Sequence, residues 1–146
     1  MSDRLTLTLP EPPTLNAMLD IAKERTRRTK AGGWRPTALP TVYDERKSEY
    51  ALKCTALAAG QVKRPRQPWE RWRLVQARFR VWNERDPIEL LAGLKWPVDW
   101  LVDAGFVVDD SPRHLISTPH PEQTVDRANR GVTITIERVP TTEGER

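Results

Sequence analysis

Three stretches of the chain alternate apolar and polar residues with the period of two that marks a strand with one buried face. Leu5-Thr6-Leu7-Thr8-Leu9 is the first, and Pro10, Pro12 and Pro13 end it because proline cannot continue a ladder. Arg73 to Trp82 is the second, with Leu74, Gln76, Arg78 and Arg80 on one face and Val75, Ala77, Phe79 and Val81 on the other. Gly131 to Glu137 is the third. Phe106-Val107-Val108 adds a short extended run that closes at Asp109-Asp110.

Two segments carry helical spacing instead. From Asp44, a capping residue, to about Ala59, the residues Tyr50, Cys54, Leu57 and Ala58 form one stripe, and Gly60 is placed to end the helix in a left-handed turn. The second helix opens with Asp86 as N-cap, Pro87 at the first helical position and Glu89 where a capping box sets its acid. Its apolar stripe is Leu90, Leu94, Val98 and Leu101, with Gly105 at the end. Pro97 lies inside it and predicts a kink, because the bond to the Gly93 carbonyl is lost.

Residues 14 to 43 hold no sustained period and contain Gly32-Gly33, Pro36 and Pro40, which reads as a long functional or mobile loop over about 17–42. The polar tail, about 140–146, reads as frayed. A length of 146 residues is that of a single domain, here 1–146. No apolar run reaches the roughly 20 residues of a membrane span, so no membrane association is expected. The first residues lack a charged-then-apolar signal arrangement, and Cys54 is the one cysteine; both predict a cytoplasmic protein. One cysteine and two histidines fall short of the four ligands of a structural zinc site. On the helical stripe, Cys54 reads as a small buried hydrophobe. His114 and His120 read as loop histidines, with a general-base role for His114 as the alternative. The six tryptophans exceed what so small a core usually takes. Trp96 and Trp100 read as a core or dimer contact, and Trp34, beside Gly32-Gly33, as a candidate to touch unstacked bases.

Charge is unevenly distributed. Glu84 to Ser111 holds seven acidic residues against two basic ones, a window of −5 in a chain of +4, which leaves +9 for the rest. Lys23, Arg25, Arg27, Arg28, Lys30 and Arg35 crowd the loop against Glu24 alone. A carboxylate island in a basic protein suits a metal-dependent enzyme acting on nucleic acid, since hard divalent cations take oxygen ligands and basic surface attracts phosphates. A solvated acidic helix face would give the same composition. On that reading Asp86 is a helix cap alone, Asp110 a turn residue before Ser111-Pro112, and Lys95 an i,i+4 partner of Asp99.

The order of residues in this window resembles the core motif of the RusA-like Holliday-junction resolvases, a family common in phages and prophages. The family reads R-D-x-D-N-L, then Lys, Asp, a helix ending in A-G, and an extended run closing in D-D. Here Arg85-Asp86-Pro87-Ile88-Glu89-Leu90 stands at the first block. Lys95, Asp99, Leu101-Val102-Asp103-Ala104-Gly105 and Val107-Val108-Asp109-Asp110-Ser111 follow. Leu7 to Asn16, LTLPEPPTLN, is similar to the family's opening strand and its L-P-x-P-P-S-x-N, so the resemblance covers roughly residues 4 to 137. The chain departs from the pattern at Ile88, where the family has the second carboxylate of D-x-D, and at Glu89, where it has Asn. Either Glu89 supplies the missing oxygen or this copy is weakened.

The resemblance implies an α/β fold, a small mixed sheet with two helices packed on one face, working as a homodimer because symmetric cleavage of a four-way junction needs two sites related by a two-fold axis. It implies a structure-selective endodeoxyribonuclease using Mg²⁺, with Mn²⁺ as a substitute. The catalytic set would be Asp86, Glu89, Lys95 and Asp110, and Asp86, Asp109 and Asp110 would hold the metal. Branched DNA would meet Lys23, Arg25, Arg27, Arg28, Lys30, Arg78, Arg80 and Arg85. The setting would be the cytoplasm of a bacterial or phage-infected cell. The alternative is a junction-binding protein of the same fold with weakened or lost catalysis.

Overall fold

A computed structural model describes residues 3–14, 16–18 and 42–141. Its elements follow in the order β1 (Arg4–Leu9), α1 (Val42–Ala58), β2 (Trp72–Val81), α2 (Pro87–Ala92), α3 (Lys95–Asp103), β3 (Glu122–Val125) and β4 (Gly131–Arg138). The strands form one mixed sheet in the order β1-β4-β2-β3. β4 runs antiparallel to both β1 and β2, while β3 lies parallel to β2 at the edge. A parallel neighbour requires a long crossover, and this one carries α2, α3 and the Asp109-Asp110 segment.

Period-two patterning explains which face is covered. Leu7 and Leu9 of β1, Trp72, Leu74, Ala77, Phe79 and Val81 of β2, and Val132, Ile134 and Ile136 of β4 are all buried. The opposite face is polar. The Thr6 and Thr135 hydroxyls pair across strands at 3.0 Å, and Glu137 accepts from both Arg4 and Arg73. Simple alternation puts Leu74 on this open face, in line with Gln76, Arg78 and Arg80. Instead the register jumps between Leu74 and Gln76, so Val75 is an extra residue and Leu74 returns to the core. A bulge of this kind reverses the inside–outside parity of everything before it.

The first predicted helix is present as α1. It begins at Val42, so Asp44 lies in the first turn, where its charge complements the helix dipole. Tyr50, Cys54 and Ala58 are buried against β1 and α3, but Leu57 sits off the stripe and is 46% exposed. Gly60, with φ +90°, ends α1 in the expected left-handed turn, and Gly105 does the same after α3 with φ +83°. The second predicted helix divides in two. α2 stops at Ala92, and Gly93 lets the chain press on Phe79, whose Cε1 would stand 3.2 Å from a Cβ there. Pro97 then falls in the first turn of α3, where no intrahelical N–H bond is needed. The predicted kink is therefore replaced by a break about one turn earlier, at Gly93-Leu94.

Four of the six tryptophans are core residues: Trp69, Trp72, Trp96 and Trp100. Three of these satisfy their indole N–H within the fold. Trp96 donates to the Tyr43 hydroxyl at 2.9 Å, Trp100 to the Thr55 hydroxyl at 3.1 Å and Trp72 to the Asp109 carbonyl at 2.9 Å. The last bond fastens the acidic turn to the start of β2. Phe106 to Val108 is not a strand of the sheet; it bridges Trp69 alone, through Val107. The free edge of β1 is also closed locally, since the Gln61 side chain accepts from the Thr8 N–H at 2.8 Å and donates to its carbonyl at 2.9 Å. Among the described residues, no helix is long and apolar enough to cross a membrane.

Candidate active site

β2 delivers the chain to Arg85 and Asp86, and Gln123 of β3 fixes the backbone there. Its amide accepts from the Arg85 N–H at 2.9 Å and donates to the Arg85 carbonyl at 2.7 Å. Asp86 then adopts the extended conformation of an N-cap, and its Oδ1 accepts from the Glu89 N–H at 2.9 Å. Pro87 occupies the first helical turn, as expected. Glu89 is half-buried, while Ile88 is 73% exposed. An exposed isoleucine gains nothing from the core, so its position is open to a polar side chain.

Lys95 opens α3, and the break at Gly93-Leu94 decides where it points. On one continuous helix it would stand two and a half turns past Asp86 and face away. On the restarted helix its Nζ lies 3.1 Å from Asp99 Oδ1 and 3.2 Å from Asp110 Oδ2. Lys47 of α1 reaches the other oxygen of Asp99 at 2.7 Å. Two ammonium groups and two carboxylates from three parts of the chain therefore meet at one point. The hydrogen bond to Asp99, with a smaller one to Asp110, raises the Lys95 pKa above its usual value against the opposing effect of burial. Lys95 stays protonated at neutral pH.

Asp109 has a different surrounding. The Asp110 N–H, followed by the Ser111 hydroxyl, holds its carboxyl below the usual carboxylate range. It is the anchor of a local turn, and its backbone carbonyl is the one held by Trp72. His114 follows in the same turn, its N–H donating to the Ser111 carbonyl at 2.9 Å and its ring Nδ1 lying 2.6 Å from the Glu70 carbonyl.

The expected site residues thus form two groups, Asp86 with Glu89 at the cap of α2, and Lys95 with Asp110 beside Asp99. Among the described residues, no three His, Cys, Asp or Glu side chains gather as a metal-binding set. The donor chemistry nonetheless suits a hard cation. Mg²⁺ is commonly held by one or two carboxylates, with water and phosphate oxygens completing its shell.

The basic residues divide similarly. Lys23, Arg25, Arg27, Arg28 and Lys30, like Trp34, lie outside the described residues. Arg78 is exposed and pairs with Glu122 at 3.3 Å. Arg80 donates to the Asn129 carbonyl at 2.7 Å and to the Thr133 hydroxyl at 2.8 Å. Arg85, expected to meet DNA, is turned inward instead, with its side chain 7% exposed. Its guanidinium lies over Phe79, donates to the Pro12 carbonyl at 3.4 Å and sits 3.5 Å from Glu11. A buried guanidinium needs a carboxylate partner, and Glu11 of the Pro-rich segment provides it. Sequence reasoning missed Lys47, Glu11 and Gln123. Their roles rest on contacts far apart in the chain, and no local pattern marks them.

Comparison with protein-family models and with curated proteins gives no match.

Proposed function

We propose that this protein is a Mg²⁺-dependent, structure-selective endodeoxyribonuclease of the RusA-like type that cuts four-way DNA junctions as a homodimer. The observation that carries this reading is the contact of Lys95 with Asp110. The two acidic blocks are separated in sequence, and the lysine between them bridges to the second. In this reading Asp86 and Asp110, from the two groups, would hold the cation, with Glu89 or Asp109 assisting. When bound, the metal lowers the pKa of a water and screens the charge that develops on the phosphate. The residues' own part is to orient and to neutralise. Lys95, held between Asp99 and Asp110, presents a fixed positive charge beside Asp110, suited to the phosphate oxygens. Asp109 shapes the turn that sets the direction of Asp110.

Ile88 supports a second reading, a junction-binding protein that cuts weakly or not at all. Exposed and incapable of coordination, it stands where the family has a carboxylate. A mobility-shift and cleavage experiment with a four-way junction and a matched linear duplex, with and without Mg²⁺, decides between them. Mg²⁺-dependent junction cleavage supports the nuclease. Selective binding without cutting supports the second reading, and equal or absent binding to both DNAs rejects both.

A further inference from the structure

Of the tryptophans among the described residues, Trp82 alone stands at the surface, 50% exposed directly after β2. Two arginines of the turn between β3 and β4 lie on its ring, Arg127 at 5.1 Å and Arg130 at 5.4 Å from the centroid. The turn itself is pinned to β2. The Asp126 N–H donates to the Val81 carbonyl at 2.9 Å, and the Asn129 carbonyl accepts from Arg80 at 2.7 Å. Arg127 is further held by bonds to the Trp82 carbonyl at 3.1 Å and to Asn83 Oδ1 at 3.3 Å. Among the described residues, the carboxylate paired with Arg130 is Glu11, at 3.9 Å, and Glu11 is already engaged by the buried Arg85. Asp126 caps the Asn129 N–H at 3.2 Å.

We propose that Arg127 and Arg130, ordered on Trp82, form a docking point for the phosphate backbone of one DNA arm; this rests on the nuclease reading above. Three observations converge on it. The half-exposed indole of Trp82 acts as a rigid shelf for the two guanidinium groups that lie over its ring. Arginines already held in place lose less side-chain entropy on binding, and planar guanidinium suits phosphate geometry. Arg130 also shares Glu11 with Arg85, the residue before Asp86, which ties the docking point to the segment that opens α2. Arg78 and Arg80 serve differently, since Arg78 faces Glu122 and Arg80 braces the turn.

The test is fluorescence anisotropy with a labelled four-way junction across a salt series, on wild type, Arg127→Ala/Arg130→Ala, Trp82→Ala and Trp82→Phe. The double variant is expected to bind roughly ten-fold more weakly, the size of one or two charge-assisted hydrogen bonds. Its log–log salt slope should fall by about 0.9 for each phosphate it no longer neutralises. Trp82→Ala removes no charge, yet should also weaken binding, and Trp82→Phe should restore most of it. Arg130→Gln, which keeps the packing, serves where the alanine variants unfold. Wild-type binding with an unchanged slope in the double variant and in Arg130→Gln overturns this inference and leaves the nuclease reading standing. Absence of junction binding by the wild type overturns both.

Discussion

Lys95 lies 3.2 Å from Asp110, although fifteen positions separate them and a helix, a left-handed glycine and a turn intervene. The contact exists because the helix restarts at Lys95 and because Trp72 holds the Asp109 carbonyl. Replacing Asp110 by Asn keeps size and hydrogen bonding and removes the charge a hard cation needs. In cleavage assays Asp110→Asn should reduce junction cutting to background while junction affinity stays equal or rises, since one carboxylate facing phosphate is gone. Its effect on stability should be small, about 0–1 kcal/mol, because Lys95 is largely exposed and retains Asp99. Cutting at the wild-type rate would remove Asp110 from the site.

Asp86 combines a structural bond with a proposed catalytic one, and two substitutions separate them. Asn caps a helix as well as Asp, whereas Ala loses the bond to the Glu89 N–H and costs about 1 kcal/mol. Asp86→Asn should therefore denature at nearly the wild-type urea concentration and Asp86→Ala at a lower one, while both fail to cut. Activity retained in Asp86→Asn would reduce the residue to a cap.

Ile88 and Glu89 distinguish compensation from loss. If Glu89 supplies the missing oxygen, Glu89→Gln should impair Mg²⁺-dependent cutting as severely as Asp110→Asn, and Ile88→Asp should add little. If the site is degenerate, Glu89→Gln should be silent and Ile88→Asp should raise cutting. The exposure of Ile88 makes the second change tolerable, within about 0.5 kcal/mol of wild-type stability. We favour compensation, and single-turnover rates for the three variants decide it.

Glu137 predicts an acid limit to stability. Hydrogen bonds from Arg73 first and Arg4 second hold its carboxyl below the usual range. A carboxyl depressed in the folded state stabilises above its unfolded pKa, and this contribution is lost as pH falls through the folded value. Lys95 behaves oppositely. Its raised pKa stabilises below the unfolded lysine value and is lost as pH rises through the folded one. Thermal unfolding from about pH 3 to 7 should show a shallower acid limb in Glu137→Gln, with lower stability at neutral pH. An unchanged limb would assign acid sensitivity elsewhere.

Cys54 is fully buried beside Tyr50, and burial raises its thiol pKa to about 11. A thiol so placed is almost wholly protonated at neutral pH, and the thiolate is the reactive form. Native protein should react with a thiol reagent only at the rate of unfolding, and one equivalent should appear promptly in denaturant.

Regular periods make β1, α1 and β4 legible, because each buries one face against a continuous core. The departures have identifiable causes. The bulge at Val75 inserts one residue and so shifts Leu74 across the sheet, a change that alternation cannot register. β3 reads Glu-Gln-Thr-Val at an edge with little burial, so it has no apolar rhythm, and its parallel pairing with β2 is a long-range matter. The division between α2 and α3 follows from Gly93 meeting Phe79, a contact across the core. At the site, motif order alone marks Asp86, Lys95 and Asp110. Lys47 and Gln123 come from distant elements, and only the assembled sheet brings them in. Arg85 has the look of surface charge in the sequence, because its burial depends on Glu11, far away along the chain.

Gln61 acts as a borrowed peptide group. By occupying both backbone positions of Thr8, it makes the edge of β1 behave at that residue as though another strand already lay there, and a newcomer must first evict it. The far margin, along β3, has no such stopper at the corresponding level among the described residues. At Thr8, edge-to-edge addition of a further strand is thus discouraged by a single amide.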